Sequence, residues 1–430
     1  MADKLLLKHV FTPGGQPSVT YVSRGHLGLE QRVKDALVRG YSINVVTGPT
    51  KSGKTVLCNH VLGQAGESVS IEGGQVRSES DFWEQIAYAL NLESQRAAKT
   101  SDTASENIEL GAGLSVPGAR LGGKKSSGEG KGNEQSLTYN VNSQRAALDT
   151  LLERDVSLLV DDFHYIEKDI QKRIVQALKG AVFKGLSVIL LAVPHRAFDP
   201  MTVEQELEGR FKHVEIPPWG MDDLELIPQR GFEALNVKSS DKLNKAICSE
   251  GFGNPLLVQE ICSELCIKNG ILERAEHEQV LDGTLLSYAL TEIAKSKGFP
   301  KFSKLKSGPD AKKKRMLRAF KDGRAQDKYS AILTALSTLG PQPRTSYEDL
   351  RATLQNLLQI GSMPAKHEVT AALTNMSKIA RNEIEGEPPL EWVESEDALV
   401  ITDPFLLFYM KWAAEHRDSD QKEMQLLAID

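Results

Sequence analysis

The chain has 430 residues, of which 40% are hydrophobic and 26% are charged, a size and composition typical of a globular protein with two or three domains. Its formal net charge of −6 argues against nucleic-acid binding over the whole surface, so any basic surface is expected to be local. Four cysteines are too few for a disulfide framework, and no apolar run is long enough for a signal peptide or a membrane span, so we expect a cytoplasmic protein without membrane contact.

The first part of the chain alternates apolar runs with amphipathic stretches. Predicted strands are 43–46, 68–71, 156–160 and 186–193. Predicted helices are 25–39, 54–62, 80–90, 143–154 and 168–181. Asp81 is a predicted N-cap of the third of these helices, with Glu84 three residues later as in a capping box. Strands that alternate with helices indicate a parallel sheet with right-handed crossovers.

Residues 97–137 differ in composition, because they are rich in Gly, Ser and Lys and poor in large apolar residues. Such a segment buries too little surface to offset its ordering entropy, so we predict a flexible insertion. After Pro217-Pro218 the pattern is helical, and a small helical domain is predicted from the helices 221–235, 240–249 and 255–269.

The C-terminal part begins with a basic stretch, 295–328, in which thirteen Lys or Arg accompany three Asp. Three helices and a strand pair are predicted after it, at 328–338, 346–358, 366–383, 390–393 and 398–401. This order of elements is that of a winged-helix domain.

Residues 48–55, GPTKSGKT, match the pattern G-x-x-x-x-G-K-[ST] in full, between an apolar strand and a helix. The two glycines allow a turn whose N–H groups surround anionic oxygens, and the helix adds its positive end. Lys54 is expected to contact the β- and γ-phosphates, and Thr55 to ligate Mg²⁺. The residues expected to bind ATP or ADP are Gly48, Pro49, Thr50, Lys51, Ser52, Gly53, Lys54, Thr55 and Val56.

The apolar strand VSLLV ends in Asp161-Asp162. A carboxylate at the end of a buried strand carries a large desolvation penalty unless it has a partner. We therefore expect Asp161 to hold Mg²⁺ through water, and Asp162 to act as the general base that polarises the attacking water. The alternative is structural: two aspartates that cap a helix after a core strand.

The GPTKSGKT loop followed by VSLLVDDFH resembles the nucleotide-binding core of AAA+ and STAND P-loop ATPases. The resemblance covers about residues 15–270 and, weakly, the C-terminal domain, where ITDPFLLFYMKW is similar to the segment that closes winged-helix regions of archaeal-type ATPases and origin-recognition initiators. It implies an α/β fold: a P-loop parallel sheet flanked by helices, with a helical lid and a C-terminal winged-helix domain. The segment TYVSR is similar to the entry segment that packs over adenine, which implies that Tyr21, Val22 and Arg24 lie near the base.

Three further segments extend the resemblance. GNPLL is similar to the G-x-P lid signature of STAND switches and archaeal-type ATPases, which assigns Pro255 to the site, although proline's preference for a helix start explains it equally well. LAVPHR resembles the strand that ends in a γ-phosphate sensor, which implies His195 first and Arg196 second. EGRF resembles the segment with the arginine finger, which implies that Arg210 reaches the nucleotide of a neighbouring subunit in an ATP-dependent homo-oligomer. A loop position for His195 and a surface ion pair for Arg210 stay open as structural alternatives.

The sequence departs from typical AAA+ ATPases at two points. Asp162 stands where those proteins have Glu, and the lid lacks the usual Arg at the start of its third helix. Both departures favour a slow ATPase that works as a switch. The predicted division is a P-loop ATPase core at 1–220, a helical lid at 221–285, a basic linker at 286–327 and a winged-helix-like domain at 328–430.

Three functional hypotheses follow. The first is a slow AAA+/STAND switch ATPase that changes conformation or oligomerises to act on a protein effector partner, and family habit suggests a defence or mobile-element system. The second is a DNA-binding initiator or transposition-type ATPase that uses the 295–328 stretch and the helix 366–383, with contacts from Lys366, His367, Lys378 and Arg381. The third is a nucleotide-binding scaffold without hydrolysis.

Overall fold

The computed structural model describes residues 4–92, 143–193, 211–310, 314–384 and 387–413. The chain forms two compact units. The sheet unit comprises Gly25–Pro49 and Lys54–Ile216, and the helical unit comprises Met1–Arg24, Thr50–Gly53 and Pro217–Asp430. The insertion predicted at 97–137 lies outside the described residues, as do His195, Arg196 and Arg210.

The sheet unit is built on five parallel strands: β1 (Ile43–Thr47), β2 (Ser68–Glu72), β3 (Ser157–Asp161), β4 (Val188–Ala192) and β5 (Phe211–Glu215). Their order is β2-β3-β4-β1-β5, so β4 lies between β1 and β3. The four predicted strands are present within a residue or two of their expected bounds. The sequence did not predict β5, because only Val214 in it is buried and an edge strand of this kind has no apolar run.

Five helices accompany this sheet: α1 (Leu29–Arg39), α2 (Lys54–Ala65), α3 (Glu79–Ala89), α4 (143–153) and α5 (Lys168–Phe183). Successive strand residues point to opposite faces. Leu158 and Val160 belong to one buried cluster with α3, α4 and α5, whereas Leu159 belongs to another with α1 and α2. Because helices cover both faces, the strands are apolar on both sides, and the prediction of a parallel sheet flanked by helices is confirmed.

The start of α3 differs from the prediction. Ser78, not Asp81, is the N-cap: its hydroxyl accepts a hydrogen bond from the Asp81 N–H, at 3.2 Å. The Asp81 carboxylate in turn accepts the Ser78 N–H at 2.9 Å, which completes a capping box one turn earlier than expected.

The helical unit begins with a one-turn helix, Leu7–Val10. Its longer helices are α6 (Met221–Ala234), α7 (Asp241–Glu250), α8 (Pro255–Lys268), α9 (Leu286–Ser296), α10 (Phe299–Ser307), α11 (Lys328–Leu339), α12 (Tyr347–Leu357), α13 (Lys366–Asn382) and α14 (Pro404–Trp412). Its strands are β6 (Val237–Lys238), β7 (Gln279–Val280), β8 (Arg318–Ala319), β9 (Ala325–Gln326), β10 (Arg344–Ser346), β11 (Leu390–Val393) and β12 (Ala398–Ile401).

The stretch expected as a basic linker, 286–327, contains regular structure. Apolar residues of α9 and α10 lie in the buried clusters of the helical unit, as does Phe320. Within the described part of this stretch, basic side chains form the ion pairs Lys295–Glu292, Lys297–Glu260, Lys301–Asp403, Lys304–Glu383, Arg315–Asp327, Arg318–Glu368 and Arg324–Asp322. The many Lys and Arg residues made the helical spacing of the apolar residues hard to detect in the sequence. In the fold, several of these positive charges are paired with carboxylates.

The last elements follow in the order α11, β10, α12, α13, β11, β12 and α14. The three strands form an antiparallel sheet in the order β10-β12-β11. The first three of these helices and the strand pair were predicted, whereas the three-residue strand β10 and the helix α14 were not. Cys58, Cys248, Cys262 and Cys266 are free and buried, as expected for reduced thiols. Among the described residues, no helix has both the length and the apolar character that crossing a bilayer requires.

Candidate nucleotide-binding site

Lys54 is the first residue of α2 and lies directly after the loop that leaves β1. Its side chain is buried, with 9% of the residue exposed. The ammonium donates hydrogen bonds to the carbonyl oxygens of Gly48 and Pro49, both at 3.0 Å. These contacts hold the lysine over the first residues of the loop, so a buried positive charge stands at the N-terminal end of α2.

Thr55, in the first turn of α2, meets Asp161 at the end of β3, although β4 lies between β3 and the strand that precedes α2, β1. The Thr55 hydroxyl donates to Oδ2 of Asp161 at 2.7 Å, and the N–H of Asp162 donates to Oδ1 at 2.8 Å. A hydroxyl and a carboxylate are the hard oxygen donors that Mg²⁺ prefers. The pair therefore fits the metal: Thr55 and Asp161 would hold it, and a bound Mg²⁺ would neutralise charge on the phosphates.

The described residues contain no group of three or more His, Cys, Asp or Glu that could hold a metal. A magnesium site of the P-loop kind does not require such a group, because Mg²⁺ usually keeps several waters and takes only one or two protein carboxylates beside the substrate phosphates.

Asp162 follows in a left-handed conformation, with φ 50° and ψ 37°. Its side chain makes no helix-cap hydrogen bond, so capping does not account for this residue. Burial raises the pKa of Asp162 to about 6, and the neighbouring charge of Asp161 adds to the effect, while Lys54 opposes it. A carboxylate with such a pKa is ionised at neutral pH and is a stronger base than an ordinary aspartate.

The tip of the loop, Thr50–Gly53, belongs to the helical unit. Gly53 has φ +88° and Lys51 has φ +60°, two positive values that turn the chain as anion-binding loops do. The Ser52 carbonyl accepts a hydrogen bond from Nε1 of Trp219 at 2.8 Å. The Ser52 hydroxyl is buried and has no hydrogen-bond partner among the described residues, so a polar group stands ready for a ligand.

Side chains at the tip also contact C-terminal residues of the same unit. The Lys51 ammonium lies 3.7 Å from the centroid of the Phe405 ring, a cation–π distance. Burial lowers the pKa of Lys51, and the nearby Asp403 opposes that effect. The Thr50 hydroxyl donates to the carboxylate of Glu387. Two residues of the phosphate-binding motif are therefore joined to the last elements of the chain.

The lid signature GNPLL lies at the start of α8. Pro255 occupies the first turn of the helix, and Asn254 is the N-cap, whose Oδ1 accepts the Leu257 N–H at 3.0 Å. The amide of Asn254 also donates to the Lys51 carbonyl at 3.4 Å. Pro255 sets the start of the helix, while Asn254 makes the contact with the loop.

Arg24 and Tyr21, expected near the adenine, lie close to the residues that follow β5. The Arg24 guanidinium donates to the carbonyls of Pro217 and Pro218 at 3.0 and 2.9 Å. It lies 4.8 Å from the Trp219 ring centroid, and the Tyr21 carbonyl accepts a hydrogen bond from Arg230. Arg24 therefore supports the tryptophan that contacts the loop tip, and the assignment of these residues to the base stays a prediction.

Three residues around the loop and the aspartates were not singled out from the sequence: Trp219, Asn254 and Gly73. Trp219 follows a proline pair without any pattern that announces a function. Asn254 stood inside the recognised lid signature, so that signature could have pointed to it. Gly73 stands at the end of β2 in a Gly-Gly pair, which is a signal for close backbone approach.

Comparisons with known proteins agree with this description. Residues 38–198 match the family model of an AAA domain, whereas no curated protein sequence matches the chain. A Walker-type ATPase of Pyrococcus abyssi is similar in structure, with 14% identity and a TM-score of 0.51 over 89% of this chain and 94% of that one. Cdc6p from Pyrobaculum aerophilum has 13% identity and a TM-score of 0.46, over 99% and 98% of the two chains.

The Orc1 protein of Aeropyrum pernix, solved in complex with DNA, has 12% identity and a TM-score of 0.44, over 86% of this chain and 87% of that one. At such identities a structural similarity informs about the fold alone, so the assignment depends on the matched sequence and on the loop it contains. Residues 38–198, which carry both the phosphate-binding loop and the aspartate pair, are an AAA domain of the P-loop ATPases.

Proposed function

We propose that the chain binds Mg²⁺–ATP, hydrolyses it slowly and uses the nucleotide state as a switch that acts on a partner. The observation that carries this proposal is the 2.7 Å hydrogen bond between Thr55 and Asp161, because it unites two separate sequence motifs at one point. The buried Lys54 charge beside it supplies the attraction for phosphate oxygens.

Each residue has a distinct task in this proposal. The backbone of the loop and Lys54 bind the phosphates, while Thr55 and Asp161 hold the metal. Asp162 accepts a proton from the attacking water, which its raised pKa of about 6 favours. The side chain of Asp162 is one methylene shorter than glutamate, so its carboxylate has a shorter reach, which is our reason for expecting slow turnover.

The switch rests on the contacts of the loop tip. Lys51 is held at the Phe405 ring, and Thr50 at the Glu387 carboxylate. A loop that closes on phosphates changes the surroundings of these two residues, and a cation–π contact of about 0.5–2 kcal/mol is large enough to couple such a change to the last helix. In this scheme residues 221–285 act as the lid, and 328–430 as the domain that responds.

DNA binding is the second candidate. The order helix, strand, helix, helix, strand, strand in 328–401 supports a winged-helix domain with α13 as its recognition helix. On α13, however, Lys366 pairs with Asp397 at 3.0 Å and Arg381 pairs with Glu391 at 2.9 Å, so phosphates would have to replace carboxylates. His367 and Lys378 are exposed. We therefore rank a protein partner above DNA.

Three measurements separate the alternatives. Calorimetry should show Mg²⁺-dependent binding of ATP and ADP by the wild type and none by Lys54→Ala, while turnover should fall to a low residual rate in Asp162→Asn with binding retained. Equal residual turnover in all three proteins would leave only the scaffold hypothesis. A gel-shift titration at two salt concentrations tests DNA, and absence of binding at low salt removes the second candidate.

The oligomer hypothesis concerns Arg210 and needs a solution measurement. Mass photometry with and without ATP should show a larger species with the nucleotide if this arginine reaches a neighbouring subunit. A monomer under both conditions would remove that role for Arg210.

A further inference from the structure

Gly73 follows β2 and opens a short 3₁₀ turn, Gly73–Gln75. A Cβ atom at this position would lie 2.6 Å from the carbonyl oxygen of Asp162 and 2.8 Å from that of Asp161. Both are backbone atoms, which cannot rotate away as a flexible side chain can. The φ of Gly73 lies outside the left-handed region, so its own conformation would accept alanine, and the lack of space for a side chain is what requires glycine.

The backbone that touches Gly73 is fixed from its other side as well. The Asp162 carbonyl accepts the Tyr165 N–H at 2.9 Å, within the turn after β3. The buried Gln171 amide donates to the carbonyls of Phe163 and Ile166, at 3.1 and 2.9 Å. The left-handed Asp162 is therefore packed against Gly73, and the turn that follows it is hydrogen-bonded to Gln171.

We propose that Gly73 is a positioning residue for ATP hydrolysis, which acts by fixing the main chain of Asp162 and so the place of its carboxylate. The inference rests on the proposed function, because it assigns Asp162 the role of base. It adds a contribution from the loop after β2, which carries none of the sequence motifs. A methyl group at residue 73 would force the Asp161–Asp162 peptide away, since contacts below 3.0 Å essentially never occur.

A merely structural role for Gly73 is the alternative, and the neighbouring glycine provides the matched control. A Cβ at Gly74 would meet only the Tyr165 ring, at the ordinary distance of 4.0 Å. Gly73→Ala and Gly74→Ala therefore add the same methyl group to adjacent positions, and only the first one crowds the aspartates.

The test measures ATP turnover and Mg²⁺–ADP affinity for the wild type, Gly73→Ala, Gly74→Ala, Asp162→Asn and the double variant Gly73→Ala/Asp162→Asn. We expect Gly73→Ala to lower kcat roughly 100-fold, the scale for a misplacement near 1 Å, and to leave the affinity unchanged. Gly74→Ala should match the wild type. In the Asp162→Asn background, Gly73→Ala should cause no further loss, because it acts through that carboxylate.

Wild-type kcat in Gly73→Ala, or an equal loss in both backgrounds, would overturn the positioning role while the proposed function stands. If the wild type itself shows no turnover, the hydrolysis proposal fails and the positioning role with it. If a thermal melt shows that Gly73→Ala does not fold, Gln171→Leu is measured in its place, because it removes the hydrogen bonds from Gln171 to the same turn. It should lower kcat without changing the affinity, and an unchanged kcat would again overturn the inference.

Discussion

The helix end of the phosphate-binding loop and its tip are stabilised by different parts of the molecule. At the helix end, Lys54 and Thr55 make their contacts within the sheet unit, with the first loop carbonyls and Asp161. The tip, Thr50–Gly53, is held in the helical unit, and the Thr50 contact with Glu387 spans 337 positions of the sequence. The contacts of the helix end therefore join two short sequence motifs, whereas the conformation of the tip depends on residues outside both motifs.

The largest effect is expected when the metal partner at the helix end, Asp161, is removed. Asp161→Asn should shift the Mg²⁺ dependence of nucleotide binding to higher concentration, with a loss of about 10- to 100-fold in metal affinity, since the amide keeps the shape but not the charge. Calorimetry with MgCl₂ and with EDTA measures this effect. Asp162→Asn is the control and should keep the Mg²⁺ dependence. An Asp161→Asn protein with wild-type Mg²⁺ dependence would contradict the assignment of the metal.

The pH dependence of hydrolysis tests the role of Asp162, next to the metal partner at the helix end. Asp162 must be ionised to accept a proton, and its pKa is raised to about 6, so kcat/KM should fall about tenfold per pH unit below that value and level off above it. The rate falls toward low pH because protonation of Asp162 removes the base. Asp162→Asn is measured in parallel, because its residual rate reports the titration of the substrate itself. A fall in kcat/KM that begins only near pH 4, or one that persists in Asp162→Asn, would argue against Asp162 as the base.

The chemistry at the helix end could be predicted from the sequence for a physical reason. A phosphate-binding turn needs glycine at fixed positions and a lysine next to them, and all of these residues stand within Gly48–Thr55. The aspartates follow the most apolar strand, and parallel strands bring their carboxyl ends to one edge of the sheet. These two rules predict that Thr55 and Asp161 lie near one edge of the sheet, where the structure has the hydrogen bond between them; their shared Mg²⁺ stays a prediction.

The contacts of the tip follow no such rule. Trp219 follows a proline pair and Phe405 lies in a short apolar segment, and only the folded chain brings them to the tip. The strand β5 and the helix α10 were missed for related reasons: one is mostly exposed, and the other carries an apolar face among many lysines. Long-range packing determines the contacts of both side chains and the presence of both elements, and it leaves little local pattern in a single sequence.

A smaller effect is expected at the tip, where Phe405→Leu removes the ring beneath Lys51. Loss of a partly buried cation–π contact should release the tip and speed nucleotide exchange roughly 5- to 30-fold. Stopped-flow release of a fluorescent ADP analogue measures the rate. Phe408→Leu is the matched control, because it truncates a fully buried ring of the same helix. If both variants accelerate release equally, general loosening of the helix explains the effect and the specific contact with Lys51 does not.

The smallest effect isolates a single hydrogen bond. Trp219→Phe removes the donor to the Ser52 carbonyl while a ring remains beside Arg24, so the tip should lose about 0.5–1.5 kcal/mol of support. That corresponds to an increase in ADP release of roughly two- to tenfold. Trp412→Phe is the control: it loses an equivalent indole hydrogen bond, at 2.7 Å to Glu250, away from the loop. An equal rate in the two variants would mean that Trp219 merely packs, and the tip would then depend on its contacts with Asn254, Glu387 and Phe405.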